Sequence, residues 1–162
     1  MTLSVGSRLP DADLLHKGAG EPEKVALGAK LKGRNVVIFG LPGAFTGTCT
    51  MAHVPSFIRA AARLREKGVD EIVCVAVNDP FVMKAWGEAT GATAAGITML
   101  GDADASFTKS IGMAYSAPGD GFHDRSRRYA LYAVDGVVKV LNFGDTPGTC
   151  DVSGGEVMLD AI

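Results

Sequence analysis

The chain lacks most of the features that would assign it to a class at a glance. No apolar run in its 162 residues approaches the ~20 needed to cross a bilayer, so no membrane partner is expected. Acidic and basic residues nearly balance, 18 against 16. The net charge of −2 gives no reason to expect nucleic acid or an anionic surface as partner. Only three cysteines occur (Cys49, Cys74 and Cys150), too few and too scattered for a disulfide framework. Histidine is as scarce: His16 and His123 stand alone, and no further Cys/His pair has ligand spacing, so no metal site is expected. The first residues, Met1-Thr2-Leu3-Ser4-Val5-Gly6, have neither a signal-peptide layout nor an Arg-rich transit pattern. The expected compartment is the cytoplasm, or a mitochondrion or plastid if the chain is a mature form. With no repeat, low-complexity tract or linker, residues 1–162 read as a single domain.

What is present is alternation of strands and helices. Asn35-Val36-Val37-Ile38-Phe39-Gly40 is a short β-branched run that reads as a buried strand. From about Thr48 to Lys67, Val54, Phe57, Ile58, Ala61 and Leu64 recur on one face of a helix. Pro55 falls inside it and is expected to remove one ladder bond and bend the axis. Glu71 to Val77 is a second, continuously apolar strand, suited to a parallel sheet covered on both faces. Asn78-Asp79-Pro80 signals a helix start, Ile97 to Leu100 a third strand, and Ala103 to Ile111 a short helix. Asp135-Gly136 between Arg128–Val134 and Val137–Leu141 predicts a type I′ hairpin. Residues 154–162 read as a terminal helix. The pattern predicts an α/β fold with a mixed central sheet flanked by helices. Residues 112–127 form the longest stretch without a clear element, and loops of that length are more often functional edges than core.

The chemistry concentrates at Thr46-Gly47-Thr48-Cys49. This stretch is entered through Leu41-Pro42-Gly43-Ala44-Phe45 and followed by Thr50-Met51-Ala52-His53-Val54-Pro55. The cysteine sits where a Gly/Thr-rich loop gives way to a helix. Unpaired N–H groups and the positive end of the helix dipole favour thiolate over thiol there, and the thiolate is the nucleophile. His53, four residues on, shares that helical face and could act as a charge neighbour or hydrogen-bond partner. Arg125, Arg127 and Arg128 are the nearby-in-sequence candidates for a fixed cation.

Pro42-Gly43-Ala44-Phe45-Thr46-Gly47-Thr48-Cys49 resembles the P-x-x-x-T-x-x-C motif of the peroxiredoxins. The fuller string from Gly40 to Pro55, with Gly68 to Val82 and Ser126 to Ala130, resembles the type-II, peroxiredoxin-5-like branch. The resemblance runs from about Val36 to the end and implies a thioredoxin-like fold. The implied activity is a thiol peroxidase that reduces hydrogen peroxide and small alkyl hydroperoxides without metal, haem or flavin. In that scheme Cys49 is the peroxidatic nucleophile and becomes sulfenic acid. Thr46 bonds the thiolate or the peroxide, and Pro42 shields the site and fixes the loop. The resemblance selects Arg128 as the transition-state cation. His53 takes a supporting place behind these groups. Cys150, in a polar, turn-rich stretch expected to be exposed, falls near the resolving cysteine of some relatives; Cys74 reads as a core thiol. Thioredoxin, glutaredoxin or glutathione is the expected reductant, and a homodimer the expected assembly, with Phe45 or Phe81 near its interface.

A second reading is a non-catalytic redox sensor or binding protein on the same scaffold, for which a transition-state cation has no use. A cysteine hydrolase is a third. It would place its nucleophile on a sharp elbow directly after a strand, whereas a long loop separates Phe39 from Cys49.

Overall fold

A computed structural model of the chain describes residues 2–162. Its strands are β1 (Asp13–His16), β2 (Glu23–Ala26), β3 (Asn35–Gly40), β4 (Glu71–Ala76), β5 (Ile97–Gly101), β6 (Ala114–Ala117), β7 (Phe122–Ser126), β8 (Tyr129–Val134) and β9 (Val137–Phe143). Its α-helices are α1 (Leu27–Leu31), α2 (Val54–Glu66), α3 (Pro80–Thr90), α4 (Ser106–Ser110) and α5 (Gly155–Ala161). Seven strands form one sheet in the order β2-β1-β5-β4-β3-β8-β9. The central β3, β4 and β5 run parallel, and β8 and β9 add antiparallel beyond β3. The mixed α/β arrangement is the one the sequence predicts.

Strand alternation divides the core in two. Val37, Phe39, Ile72, Cys74 and Met99 face one way, against α2, α3 and α5. Val36, Ile38, Val73, Val75 and Leu100 face the other way, against Leu27, Leu31, Phe107 and the N-terminal Leu3, Leu9 and Leu14. Burial on both faces explains why β3 and β4 read as continuous apolar runs.

Local signals account for most boundaries. Asp79 caps α3, its carboxylate accepting from the Val82 N–H at 2.9 Å, and Gly91 ends the helix with φ 83°. Asp135 and Gly136 take φ 50° and 76°, the two left-handed positions of the hairpin turn between β8 and β9.

Two expectations need refinement. Pro55 lies inside the helical stretch as expected, but at a change of pairing and not in a regular α-helical ladder. Helical backbone begins at Gly47, passes through a π-turn at Cys49–His53, and becomes α2 with Pro55 in its first turn. Val54 N–H donates to Cys49 O, five residues back, so the proline's missing donor falls where the pairing changes from π to α. Residues 112–127 are likewise not a loop: β6 and β7 pair as a separate two-stranded sheet, joined by a 3-10 turn at Pro118–Asp120. Its four- and five-residue strands are too short to show a period.

Candidate active site

The site lies off the carboxyl end of β3, where the sheet's connectivity turns from β4 on one side to β8 on the other. Gly40 closes β3 against the Tyr129 ring; a Cβ there would stand 2.2 Å from Tyr129 Cε1, so no side chain fits. The loop that follows is pinned at each step. Pro42 is buried, and its carbonyl accepts from Arg125 Nη1 at 3.1 Å. Ala44 N–H donates to Asn78 Oδ1 at 2.9 Å, and Phe45 takes φ 61°. Thr46 Oγ1 donates to Gly43 O at 2.7 Å, while Thr46 O receives the first helical N–H, from Thr50, at 3.0 Å.

The chain then enters its helix with Cys49 in the first turn, 1% exposed. Gly47, Thr48 and Cys49 have no intrahelical acceptor for their N–H groups, as at any helix start. A pocket of about 340 Å³, lined by Pro42, Thr46, Gly47, Thr48, Asp120 and Pro147 among others, opens against this turn.

Arg128 arrives from the start of β8, 2% exposed. Its Nη2 donates to Cys49 Sγ at 3.4 Å and to Pro147 O at 2.9 Å, and its Nη1 meets His53 Nδ1 at 3.0 Å. Of the three arginines, Arg128 is the one whose guanidinium reaches Cys49. Arg125 serves the loop carbonyl of Pro42, and Arg127 is exposed over the Tyr115 ring at 5.9 Å. His53 is fully buried. Burial, with the Arg128 charge adding to it, lowers its pKa from 6.5 to about 3, so the ring is neutral. Its Nε2 lies 2.9 Å from Ser153 O. Both ring nitrogens are therefore engaged, and neither serves as a hydrolase base.

Thr46 is half-buried beside the pocket, but its hydroxyl hydrogen goes to Gly43 O rather than towards sulfur. Its lone pairs remain free to accept. Cys74 sits mid-β4, in register with Phe39 and Met99; burial, with the charge of Cys49 adding to it, pushes its thiol well above the usual range. The structure brings it into the same apolar cluster as Cys49 without exposing it.

Cys150 differs from expectation. It is half-buried, not exposed, and burial raises its pKa against opposing pulls from Arg128 and Ser153. The reason is a carboxylate: Asp145 Oδ1 accepts the Asp151 N–H at 2.8 Å, and Oδ2 accepts the Ser153 N–H at 3.0 Å and its hydroxyl at 2.6 Å. These bonds draw the turn inward.

Nothing local in the sequence marks Pro147, Asp145 or Ser153, since the bond between His53 and Ser153 spans 100 positions. Among the described residues, no three His, Cys, Asp or Glu side chains converge as metal ligands.

A family model described as Redoxin matches residues 4–159. Peroxiredoxin-2E-2, chloroplastic, of Oryza sativa subsp. japonica is 46% identical over 165 residues, which cover 99% of this chain and 73% of that protein. Peroxiredoxin-2C of the same plant is 40% identical over 161 residues, covering 99% of this chain and 98% of that one. The structure of reduced Prx3 from Vibrio vulnificus in complex with hydrogen peroxide superposes with a TM-score of 0.92 at 43% identity, covering 99% of both chains. That likeness carries the thioredoxin-like fold expected from the motif. With a buried thiol facing a guanidinium at the end of β3, and relatives of this kind along nearly its whole length, the chain belongs to the peroxiredoxin family, in its type-II, peroxiredoxin-5-like branch, and is a thiol peroxidase.

Proposed function

We propose that Cys49 is the peroxidatic nucleophile and that Arg128, Thr46 and Pro42 form the rest of the reacting site. The observation that carries this reading is the 3.4 Å contact between Arg128 Nη2 and Cys49 Sγ, with both residues buried. The thiolate attacks one oxygen of the hydroperoxide. An S–O bond forms as the O–O bond breaks, the sulfur supplies both electrons, and the leaving oxygen takes a proton to depart as water or an alcohol. Charge grows on the oxygens during this step. A guanidinium already fixed beside the sulfur stabilises that charge without reorganising. Thr46 Oγ1, with its hydrogen given to Gly43 O, accepts the O–H of the incoming hydroperoxide and orients it. Pro42, buried at the pocket wall, contributes a carbonyl anchor for Arg125 and no donor that would hold water.

Cys49 sulfenic acid is then attacked by a second thiol, releasing water and leaving a disulfide that thiol exchange reduces. Cys150 is the internal candidate for that thiol, and thioredoxin, glutaredoxin or glutathione the external reductant. The same proposal includes the homodimer. Phe45 and Phe81 are both more than half exposed, and their segments are joined through Ala44 N–H and Asn78. Relatives are named for the chloroplast and the mitochondrion, so a fluorescent fusion should test those compartments beside the cytoplasm.

The test is peroxide consumption with a thioredoxin or glutaredoxin donor. Cys49→Ser abolishes turnover if the reading holds, and undiminished turnover overturns it. A mass spectrum after one equivalent of peroxide assigns the cycle: a Cys49–Cys150 disulfide makes it internal, and a Cys49–glutathione adduct makes it external.

A further inference from the structure

Three of the buried polar residues, Arg128, His53 and Ser153, belong to one hydrogen-bonded chain. Arginine nitrogen is only ever a donor, so the 3.0 Å contact from Nη1 requires a lone pair on His53 Nδ1. A carbonyl only accepts, so the 2.9 Å contact at Ser153 O requires the proton on Nε2. The tautomer is thereby set from both ends. The ring plane is set as well, by Phe39 at 5.0 Å and Phe57 at 5.6 Å between centroids, both tilted. Ser153 is fixed in turn by Asp145, whose carboxylate gathers the N–H groups of Asp151, Val152 and Ser153 and the Ser153 hydroxyl.

We propose that Asp145 and His53 are positioning residues for the guanidinium. Asp145 holds the Ser153 carbonyl, the carbonyl holds the His53 tautomer, and the ring's lone pair holds Arg128 Nη1 so that Nη2 faces Cys49 Sγ. The inference rests on the peroxidase reading of Cys49 and extends it to two residues that touch neither sulfur nor peroxide. An imidazolium would turn an N–H towards the guanidinium and repel it; the neutral ring supplies the acceptor. If the ring served only to fill space beside the stacked Phe39 and Phe57 rings, an apolar side chain would avoid the cost of burying two polar nitrogens.

The test compares two reactions of the same sulfur. Cys49 oxidation by hydrogen peroxide, followed by stopped flow, requires the aimed guanidinium. Cys49 alkylation by iodoacetamide, taken at a pH where its rate no longer rises, does not. His53→Phe should slow oxidation about 10- to 100-fold, as misplaced catalytic groups do, and leave plateau alkylation within about threefold. His53→Gln should recover much of the oxidation rate, because its amide offers a donor for Ser153 O and an acceptor for Arg128. Asp145→Ala should cost about 3- to 10-fold in oxidation through the looser carbonyl. Nitrogen chemical shifts of His53 should show the proton on Nε2 at neutral pH.

Oxidation by His53→Phe at the wild-type rate, equal losses in both reactions, or a proton on Nδ1 would each overturn the inference while leaving the peroxidase reading intact. Should His53→Phe fail to fold, the Gln and Ala variants carry the same comparison. A wild-type protein that consumes no peroxide, or whose turnover survives Cys49→Ser, overturns the peroxidase reading and this inference with it.

Discussion

Replacing Arg128 by methionine keeps most of the volume of the side chain and removes three donor contacts: to Cys49 Sγ at 3.4 Å, His53 Nδ1 at 3.0 Å and Pro147 O at 2.9 Å. Their losses fall on different quantities. Deleting one preorganised donor to a developing anion costs about 10²–10³ in rate, or about 2.7–4 kcal/mol of transition-state stabilisation. The buried His53 acceptor is left without a partner, at about 1–3 kcal/mol of fold stability, whereas exposed Pro147 finds water. Arg128→Met should therefore oxidise with peroxide about 10²–10³ more slowly and melt a few degrees lower. Arg128→Lys keeps the charge but cannot hold three partners in one plane, so a loss nearer tenfold is expected. The assay is single-turnover oxidation of Cys49 by hydrogen peroxide, with circular dichroism to confirm folding. A folded Arg128→Met protein oxidised within about threefold of the wild-type rate would refute the assignment of this cation to the O–O bond.

Acid sensitivity should carry a His53 signature. The unfolded ring titrates near 6.5 and the folded one at about 3, lowered by burial and by Arg128, with the Ser153 bond and Asp145 pulling the other way. Between those values the unfolded state holds the extra proton, so stability falls with acid by about 1.4 kcal/mol per pH unit. Urea titrations at pH 7 and pH 5 should show about 2 kcal/mol less acid loss in His53→Gln, and equal losses would contradict the buried neutral ring. Cys74, fully buried with a raised pKa, should resist iodoacetamide in the native protein. Peptide mapping should find it modified about 100-fold more slowly than half-buried Cys150, and similar rates would refute its inertness. Gly155→Ala would place a Cβ 2.4 Å from Ser56 O, where α5 crosses α2. The two helices must part, at about 1–3 kcal/mol, which thermal denaturation should register as a drop of roughly 3–10 °C. An unchanged melting temperature would show that the contact yields freely.

The legible parts of this molecule were those whose signals are local. The apolar runs of β3 and β4, the Asp79 cap and the Asp135-Gly136 turn each occupy a few adjacent residues, and each stands where the sequence predicts. β1, β2 and α1 carry no legible signal because elements of four or five residues, half-exposed, show neither a period of two nor one of 3.6. The site divides in the same way. Pro42, Thr46 and Cys49 fall within eight consecutive positions and form a recognisable motif. Arg128 required the resemblance to separate it from two neighbouring arginines. The Asp145–Ser153 clasp had no signature, because the fold alone brings it to His53. Cys150 departs from expectation for the same reason: a polar, turn-rich stretch reads as exposed unless the carboxylate that gathers it is known.

The π-turn at Cys49–His53 has a consequence that is best counted in degrees. Phe57 is fully buried against the sheet and marks the inward line of α2. At about 100° per residue, eight residues of unbroken α-helix would set Cys49 about 80° off that line, towards the flank of the helix. The one residue absorbed by the wider turn makes the count effectively seven, which returns the sulfur to within about 20° of it. The packing residues and the sulfur therefore come to one face of the helix although their spacing in sequence is out of step. Val54, Phe57, Ala61 and Leu64 are timed to the sheet, and Cys49 is timed to a guanidinium that arrives from β8. A single added residue between them lets packing and chemistry be set on separate stretches of one helix.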